Sequence, residues 1–170
     1  MILSSIGAEK QTRLEHKTLI KQRGLYQGPS KSLELANIET TKAFYCDIIG
    51  FDHITQFDHI DRNDNLFAII LGKKLPSGSS LLVELRLNPE QAKRQHHGDP
   101  IVWSVPLKKD LAQWIEWFEG HGVRCSRVLI GVRGWVLSAL DPDQKFVRIY
   151  CEESHEWTKD TDQDEIWHGS

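Results

Sequence analysis

Hydrophobic and polar positions along this chain follow two periods, one near 3.6 and one near 2, and they recur in the same order twice. In the stretch from Thr40 to Phe51, Ala43, Phe44 and Ile48 fall on one face of a short helix that stops at Gly50. From Asp110 onward, Leu111, Trp114, Ile115 and Phe118 fall at i, i+3, i+4 and i+7, and that helix stops at Gly120 and Gly122. Each helix is preceded by one strand-like segment and followed by three. Strands are predicted over 30–36, 51–57, 66–73 and 81–87 in the first half. In the second half they are predicted over 100–105, 123–130, 132–140 and 146–151. Turn-forming residues separate them: the Asp- and Asn-rich 58–65, the Pro76 to Ser80 stretch, and Asp141 to Gln144 with Pro142 at the second turn position.

A unit repeated about every 70 residues means two copies packed together. The expected architecture is α+β: two βαβββ modules whose curved mixed sheets form an eight-stranded incomplete barrel or cleft, with the helices outside. The boundaries read as an N-terminal extension (1–29), a first module (30–90), a polar linker (91–99) carrying His96 and His97, a second module (100–152) and an acidic tail (153–170). Within the extension, 9–23 carries a thin apolar stripe of Leu14, Leu19 and Ile20 before Gly24, Gly28 and Pro29 break it. Trp157 and Trp167 stand in the tail, where such residues need a surface to pack on.

Composition narrows the class. A net charge of -3 provides no basic footprint for nucleic acid. No apolar run has the length of a membrane span, and the first residues lack the basic start and long apolar run of a signal peptide. Cys46, Cys125 and Cys151 have no close spacing, so they form neither a disulfide framework nor a zinc pattern; they read as buried free thiols of a cytoplasmic protein.

With this pattern in hand, the segment from Lys42 through Phe44, Tyr45 and Gly50 to Phe51 resembles the helix end of the vicinal oxygen chelate superfamily. That superfamily holds glyoxalases, bleomycin-resistance proteins, fosfomycin-resistance enzymes and extradiol dioxygenases. The helix closing at Gly122 and Val123, the Arg133-Gly134-Trp135 segment, and the run from Leu140 through the Asp-Pro-Asp turn to Tyr150 resemble the second half of the same pattern. The likeness covers about residues 30–152. It implies a duplicated fold with a small-molecule cleft, frequently dimeric, and says little about chemistry because one scaffold runs several unrelated reactions.

In metal-dependent relatives His or Glu side chains on the first and last strands of each module hold a divalent ion. The resemblance maps those positions to Ser30, Glu84, Pro100 and Arg148. Only Glu84 offers a ligand, Pro100 has no donor atom, and Arg148 is a permanent cation. No metal and no other cofactor are therefore expected. Glu84, Arg148 and Glu34 are the candidate catalytic residues: Arg148 as a clamp for an anionic or enolate-like oxygen, a glutamate as base, or Glu84 and Arg148 simply as a structural ion pair. Ser32, Arg86, Trp103, Trp135, Phe146 and Tyr150 are the candidate ligand contacts, since strand residues two apart share a face and the two tryptophans present flat rings.

Two functions stay open on the sequence. One is a bleomycin-resistance-like protein that binds a small aromatic or oxygenated molecule without a metal, as a homodimer, with the acidic residues Glu34, Glu84, Glu152 and Glu153 favouring a cationic ligand. The other is a metal-independent isomerase, lyase or cyclase using a Glu/Arg pair in the same cleft. A metal-dependent glyoxalase or dioxygenase fits the four positions poorly.

Overall fold

The computed structural model describes residues 31–75, 78–98, 101–156 and 158. The expectations for the N-terminal extension, Ser30, Pro100, Trp157 and Trp167 lie outside them.

The first module opens with β1 (Lys31–Leu35), followed by α1 (Ile38–Ala43). Asn37 caps α1 by accepting the Thr40 N–H at 2.9 Å. The helix then widens into a π-helical turn over Phe44–Ile49 and ends at Gly50, whose φ of 87° is the left-handed conformation glycine tolerates best. The buried face differs from the expected one: Ala43 is exposed and Ile48 half-buried, while Tyr45 and Ile49 are buried beside Phe44. The buried Lys73 ammonium closes the helix end, donating to Ile49 O and Gly50 O at 3.1 and 3.2 Å.

The predicted strand at 51–57 is broken up. Only β2 (Asp52–His53) pairs there; a 3₁₀ turn (Thr55–Phe57) and β3 (His59–Ile60) follow, and both short strands lie along β4 (Leu66–Lys74). β5 (Ser80–Leu87) completes a five-stranded sheet with the order β1-β5-β4-β2, β3 pairing β4 off this path. The polar linker contains a helix of its own, α2 (Pro89–Arg94), with Asn88 as cap and proline at its first turn.

The second module repeats the order. β6 (Ile101–Val105) leads into α3 (Lys108–Gly120), where the Asp110 carboxylate accepts the Leu107 N–H at 3.0 Å. β7 (Leu129–Ile130), β8 (Trp135–Leu140) and β9 (Phe146–Cys151) form a four-stranded sheet in the order β6-β9-β8-β7. The strand predicted over 123–130 shrinks to its last two residues plus an isolated bridge between Cys125 and Ala139. In both modules the first strand runs parallel to the last, so the duplication holds at the level of pairing.

One core serves both modules. Leu33, Leu35, Val83 and Leu85 of the first sheet cluster with Trp103, Val105, Leu137 and Ile149 of the second, and the helices contribute Phe44, Tyr45, Leu111, Trp114 and Phe118. Trp117 Nε1 donates to Ile48 O at 3.1 Å, which joins the two helices. Phe51 meets Trp103 edge to face at 5.6 Å. The Asp-Pro-Asp turn of the second module is embedded in the first. Asp143 accepts from Thr41 Oγ1 at 2.8 Å and Ala36 N at 2.7 Å, Asp141 accepts from the Tyr45 hydroxyl at 3.0 Å, and Lys145 donates to Glu34 O at 2.5 Å. Asp141, Asp143, Lys145, Thr41 and Tyr45 are all buried, so these bonds compensate groups that water does not reach. Cys46 and Cys125 are half-buried and Cys151 is buried; all are free thiols. Among the described residues no helix is long and apolar enough to cross a membrane.

Candidate functional site

Pairing register locates the candidate positions without reference to any other protein. In the first sheet Ser32 lies beside Glu84, and Glu84 beside Ile70. In the second, Val102 lies beside Arg148, and Arg148 beside Ser138. Glu84 and Arg148 thus occupy equivalent places in the two modules. One step along, Glu34, Arg86 and Ala68 correspond to Ser104, Tyr150 and Val136. All of these are on the sheet faces opposite the shared core, because successive strand residues alternate sides.

A cavity of about 740 Å³ opens on that face of the second sheet. Ser138, Arg148, Val136 and Tyr150 form its floor, Leu129 to Gly134 one wall, and Cys151 to Ser154 the other. His155 N donates to Arg133 O at 3.0 Å, tying the chain just after the second wall to the first, and Gly131 N donates to Gly134 O at 2.7 Å within the first wall. Gly134 lies so close to the 151–153 backbone that a Cβ there would be 2.7 Å from Glu153 O. The carboxylates of the second wall are engaged. Glu152 Oε1 accepts from Ser104 Oγ at 3.0 Å, and Glu153 Oε2 accepts from the Lys108 backbone N–H at the start of α3. The Arg148 guanidinium carbon sits 5.4 Å from the Phe146 ring centre, so the side chain is laid over an aromatic face.

The other expected site residues are distributed as follows. Glu84 pairs with Arg86 on its own strand rather than with Arg148, and neither lines the cavity. The Arg86 guanidinium also lies over Phe67, at 5.4 Å. Glu34 has one carboxylate oxygen buried with no hydrogen-bond partner. Ser32 is exposed. Trp103 is fully buried on the helix-covered face, at 0% exposure, which follows from its alternation with Val102 and Ser104. Trp135 packs against His155 at 5.1 Å and holds the Lys108 ammonium over its ring at 4.3 Å, outside the cavity lining. Phe146 is buried and stacks on His97 at 5.6 Å. Ser138 and the 129–134 wall were not anticipated; Ser138 is legible only once β8 and β9 are in register.

Of the divalent-ion positions, Ser30 and Pro100 are outside the described residues. At the other two, a carboxylate already paired to a guanidinium and a second guanidinium do not form a donor set for a cation. Among the described residues no three His, Cys, Asp or Glu side chains converge as ligands. The described residues at these positions do not supply a donor set for a bound metal.

A family model described as the glyoxalase/bleomycin resistance protein/dioxygenase superfamily matches residues 35–143, more than half of the chain. The chain belongs to this superfamily. Solved structures agree on the fold. FosX, a genomically encoded fosfomycin resistance protein from Listeria monocytogenes, is 12% identical with a TM-score of 0.56, the match covering 81% of this chain and 98% of that one. A glyoxylase/bleomycin resistance protein/dioxygenase domain from Frankia sp. EAN1pec is 15% identical with a TM-score of 0.55, over 78% of this chain and 100% of that one. An integron cassette protein from the Halifax Harbour sewage metagenome is 17% identical with a TM-score of 0.52, over 74% and 99%. No curated protein matches by sequence.

Proposed function

We propose that this chain binds a small oxygenated or aromatic organic molecule without a catalytic metal, in the cavity over β8 and β9. The carrying observation is the placement of Arg148. It stands where the repeat puts Glu84 in the other module, inside a 740 Å³ cavity that combines two guanidinium groups (Arg133, Arg148), three hydroxyl-bearing side chains (Ser138, Tyr150, Ser154), two carboxylates and apolar side chains. Small-molecule sites have this composition. A point mutant of FosX has been solved with Mn(II) and 1S,2S-dihydroxypropylphosphonic acid. We infer that this chain departs from such metal use, since Glu84 is committed to Arg86 and its counterpart is a cation. The acid–base reading built on Glu84 and Arg148 is less favoured, because Glu84 is paired to Arg86 away from the cavity that Arg148 lines. We further infer a cytoplasmic homodimer, supported by apolar side chains left exposed on both open sheet faces, Leu82 at 38% and Val102 at 36%.

The test combines metal analysis of the purified chain with amide chemical-shift mapping against a library of small oxygenated aromatics. Sub-stoichiometric metal, with shifts confined to 129–138 and 148–154, is the expected result. One transition ion per chain, or no perturbation of those residues by any compound, overturns the reading.

A further inference from the structure

We propose that the ligand of this cavity is an uncharged molecule with an apolar body and one oxygen that meets the Ser138 hydroxyl. The inference rests on the binding reading above and deepens it by assigning the ligand's charge and its anchoring contact. It also revises the sequence expectation of a cationic ligand, which counted the glutamates of this face without their basic neighbours.

Charge in the lining is balanced. Arg133 and Arg148 stand among the same residues as Glu152 and Glu153, two of each sign. The Glu152 carboxylate accepts from Ser104 Oγ, and that of Glu153 from the Lys108 backbone N–H at the start of α3. Arg148 is laid over the Phe146 ring and, like the two glutamates, is already engaged within the protein. Neither sign is left in excess for an ionic ligand. An ion entering the cavity would lose hydration and meet like and opposite charges in equal number, so its desolvation is not offset. A neutral molecule carries no such cost.

The floor supplies the anchor. Ser138 is 4% exposed and lines the cavity. Its backbone is bonded to Ser126: the Ser138 N–H donates to Ser126 Oγ at 3.1 Å, and the Ser138 carbonyl accepts the Ser126 N–H at 2.8 Å. The Ser138 hydroxyl has no partner among the described residues, and a polar group buried in this way gains from a ligand atom that pairs with it. As both donor and acceptor, it suits a carbonyl or hydroxyl oxygen without requiring a charge. Tyr150, opposite Val136 in the adjoining pair, carries a second hydroxyl along the same floor. The rest of the ligand meets Leu129, Ile130, Val132 and Val136. Val132 is 71% exposed, an apolar side chain that the ligand body would remove from water.

The experiment keeps a phenyl ring constant and varies charge and oxygen, on the full chain. The probes are acetophenone (a neutral carbonyl), benzoate (an anion), benzylammonium (a cation), phenylglycine (a zwitterion) and ethylbenzene (no oxygen). Affinity is measured by titration calorimetry and the site by amide chemical-shift mapping. Acetophenone is expected to shift 129–138 and 148–154 and to bind there about tenfold or more tightly than any charged probe, with an affinity that does not change as salt rises. It should also exceed ethylbenzene by roughly threefold to tenfold, the margin of a single hydrogen bond. Ser138→Ala should abolish that margin and leave ethylbenzene binding in place, and a thermal melt confirms that the variant is folded. Benzoate, benzylammonium or phenylglycine binding at these residues as tightly as acetophenone overturns the neutral assignment and leaves the binding reading standing. Equal affinity of acetophenone and ethylbenzene, or an unchanged acetophenone affinity in Ser138→Ala, overturns the Ser138 contact and the proposal with it. Absence of shifts there with all of these probes, alongside shifts there from other compounds, overturns this inference alone; absence of shifts there with every compound overturns the binding reading as well.

Discussion

At the residue scale, burial decides between two readings of the same aromatic side chain. Trp103 was a candidate stacking surface and is instead one of the largest fully buried side chains, in contact with Phe51 across the two modules. Its indole N–H has no acceptor among the described residues. Trp103→Ala should therefore cost about 3–5 kcal/mol of unfolding free energy in urea. Trp103→Phe should cost less than half as much, because it removes an unsatisfied N–H along with the volume. Equal losses for the two variants would mean that the indole N–H is satisfied. Asp141 lends itself to a pH experiment. Burial raises its pKa above the ordinary 3.8, and the Lys145 and Tyr45 contacts only partly counter this. The folded state thus binds this proton at a higher pH than the unfolded chain does. Stability gained from Asp141 protonation is absent at neutral pH, appears as pH falls through the folded pKa, and is complete below about 3.8. Asp141→Asn preserves an oxygen for the Asp143 and Lys145 N–H groups and cannot titrate. The stability difference between wild type and Asp141→Asn should shift toward wild type as pH is lowered; a pH-independent difference contradicts the assignment.

At the element scale, two glycines that look alike in sequence behave differently. A Cβ on Gly72 would approach Ile54 Cδ1 to 2.6 Å, the far end of a flexible side chain. A Cβ on Gly134 would approach a backbone oxygen, Glu153 O, to 2.7 Å. Gly72→Ala should change the melting temperature little. Gly134→Ala should destabilise by about 1–3 kcal/mol and push apart the two cavity walls, seen as altered amide shifts in both 129–134 and 151–155. The contrast also shows what was legible beforehand. The two module helices and the β order follow from periodicity and spacing, which depend on chain-local signals, whereas the equivalence of Glu84 with Arg148 comes with the resemblance to the superfamily. α2 was missed although Asn88 and Pro89 are a cap and a first-turn proline, because only six residues follow a composition that reads as linker. Residues 123–128 look strand-like but make one bridge only, Ser126 Oγ accepting the Ser138 N–H in place of a regular ladder. Which partner Glu84 takes is set by side-chain geometry across β5, and no period encodes it.

At the scale of the whole molecule, the helix-covered faces of both sheets are spent on one shared core, and the cavity lies on one module rather than between two. The open faces still carry what a cleft between sheets would need: a paired Glu84 and Arg86 with exposed Leu82 on one, Arg148 and Tyr150 with exposed Val102 on the other. Exposed apolar side chains on a sheet face, beside charges of opposite sign on the other module, suit self-association. A two-fold dimer would set the first module of one chain against the second module of the other, and the symmetry would form that contact twice. Sedimentation at tens of micromolar should show a dimer for the wild type. Leu82→Glu and Val102→Glu should each shift it to monomer without lowering the melting temperature of the monomeric fold, because both side chains are more than a third exposed in the single chain. A monomeric wild type, or variants that remain dimeric, would remove the dimer and leave the cavity over β8 and β9 as a site built by one chain.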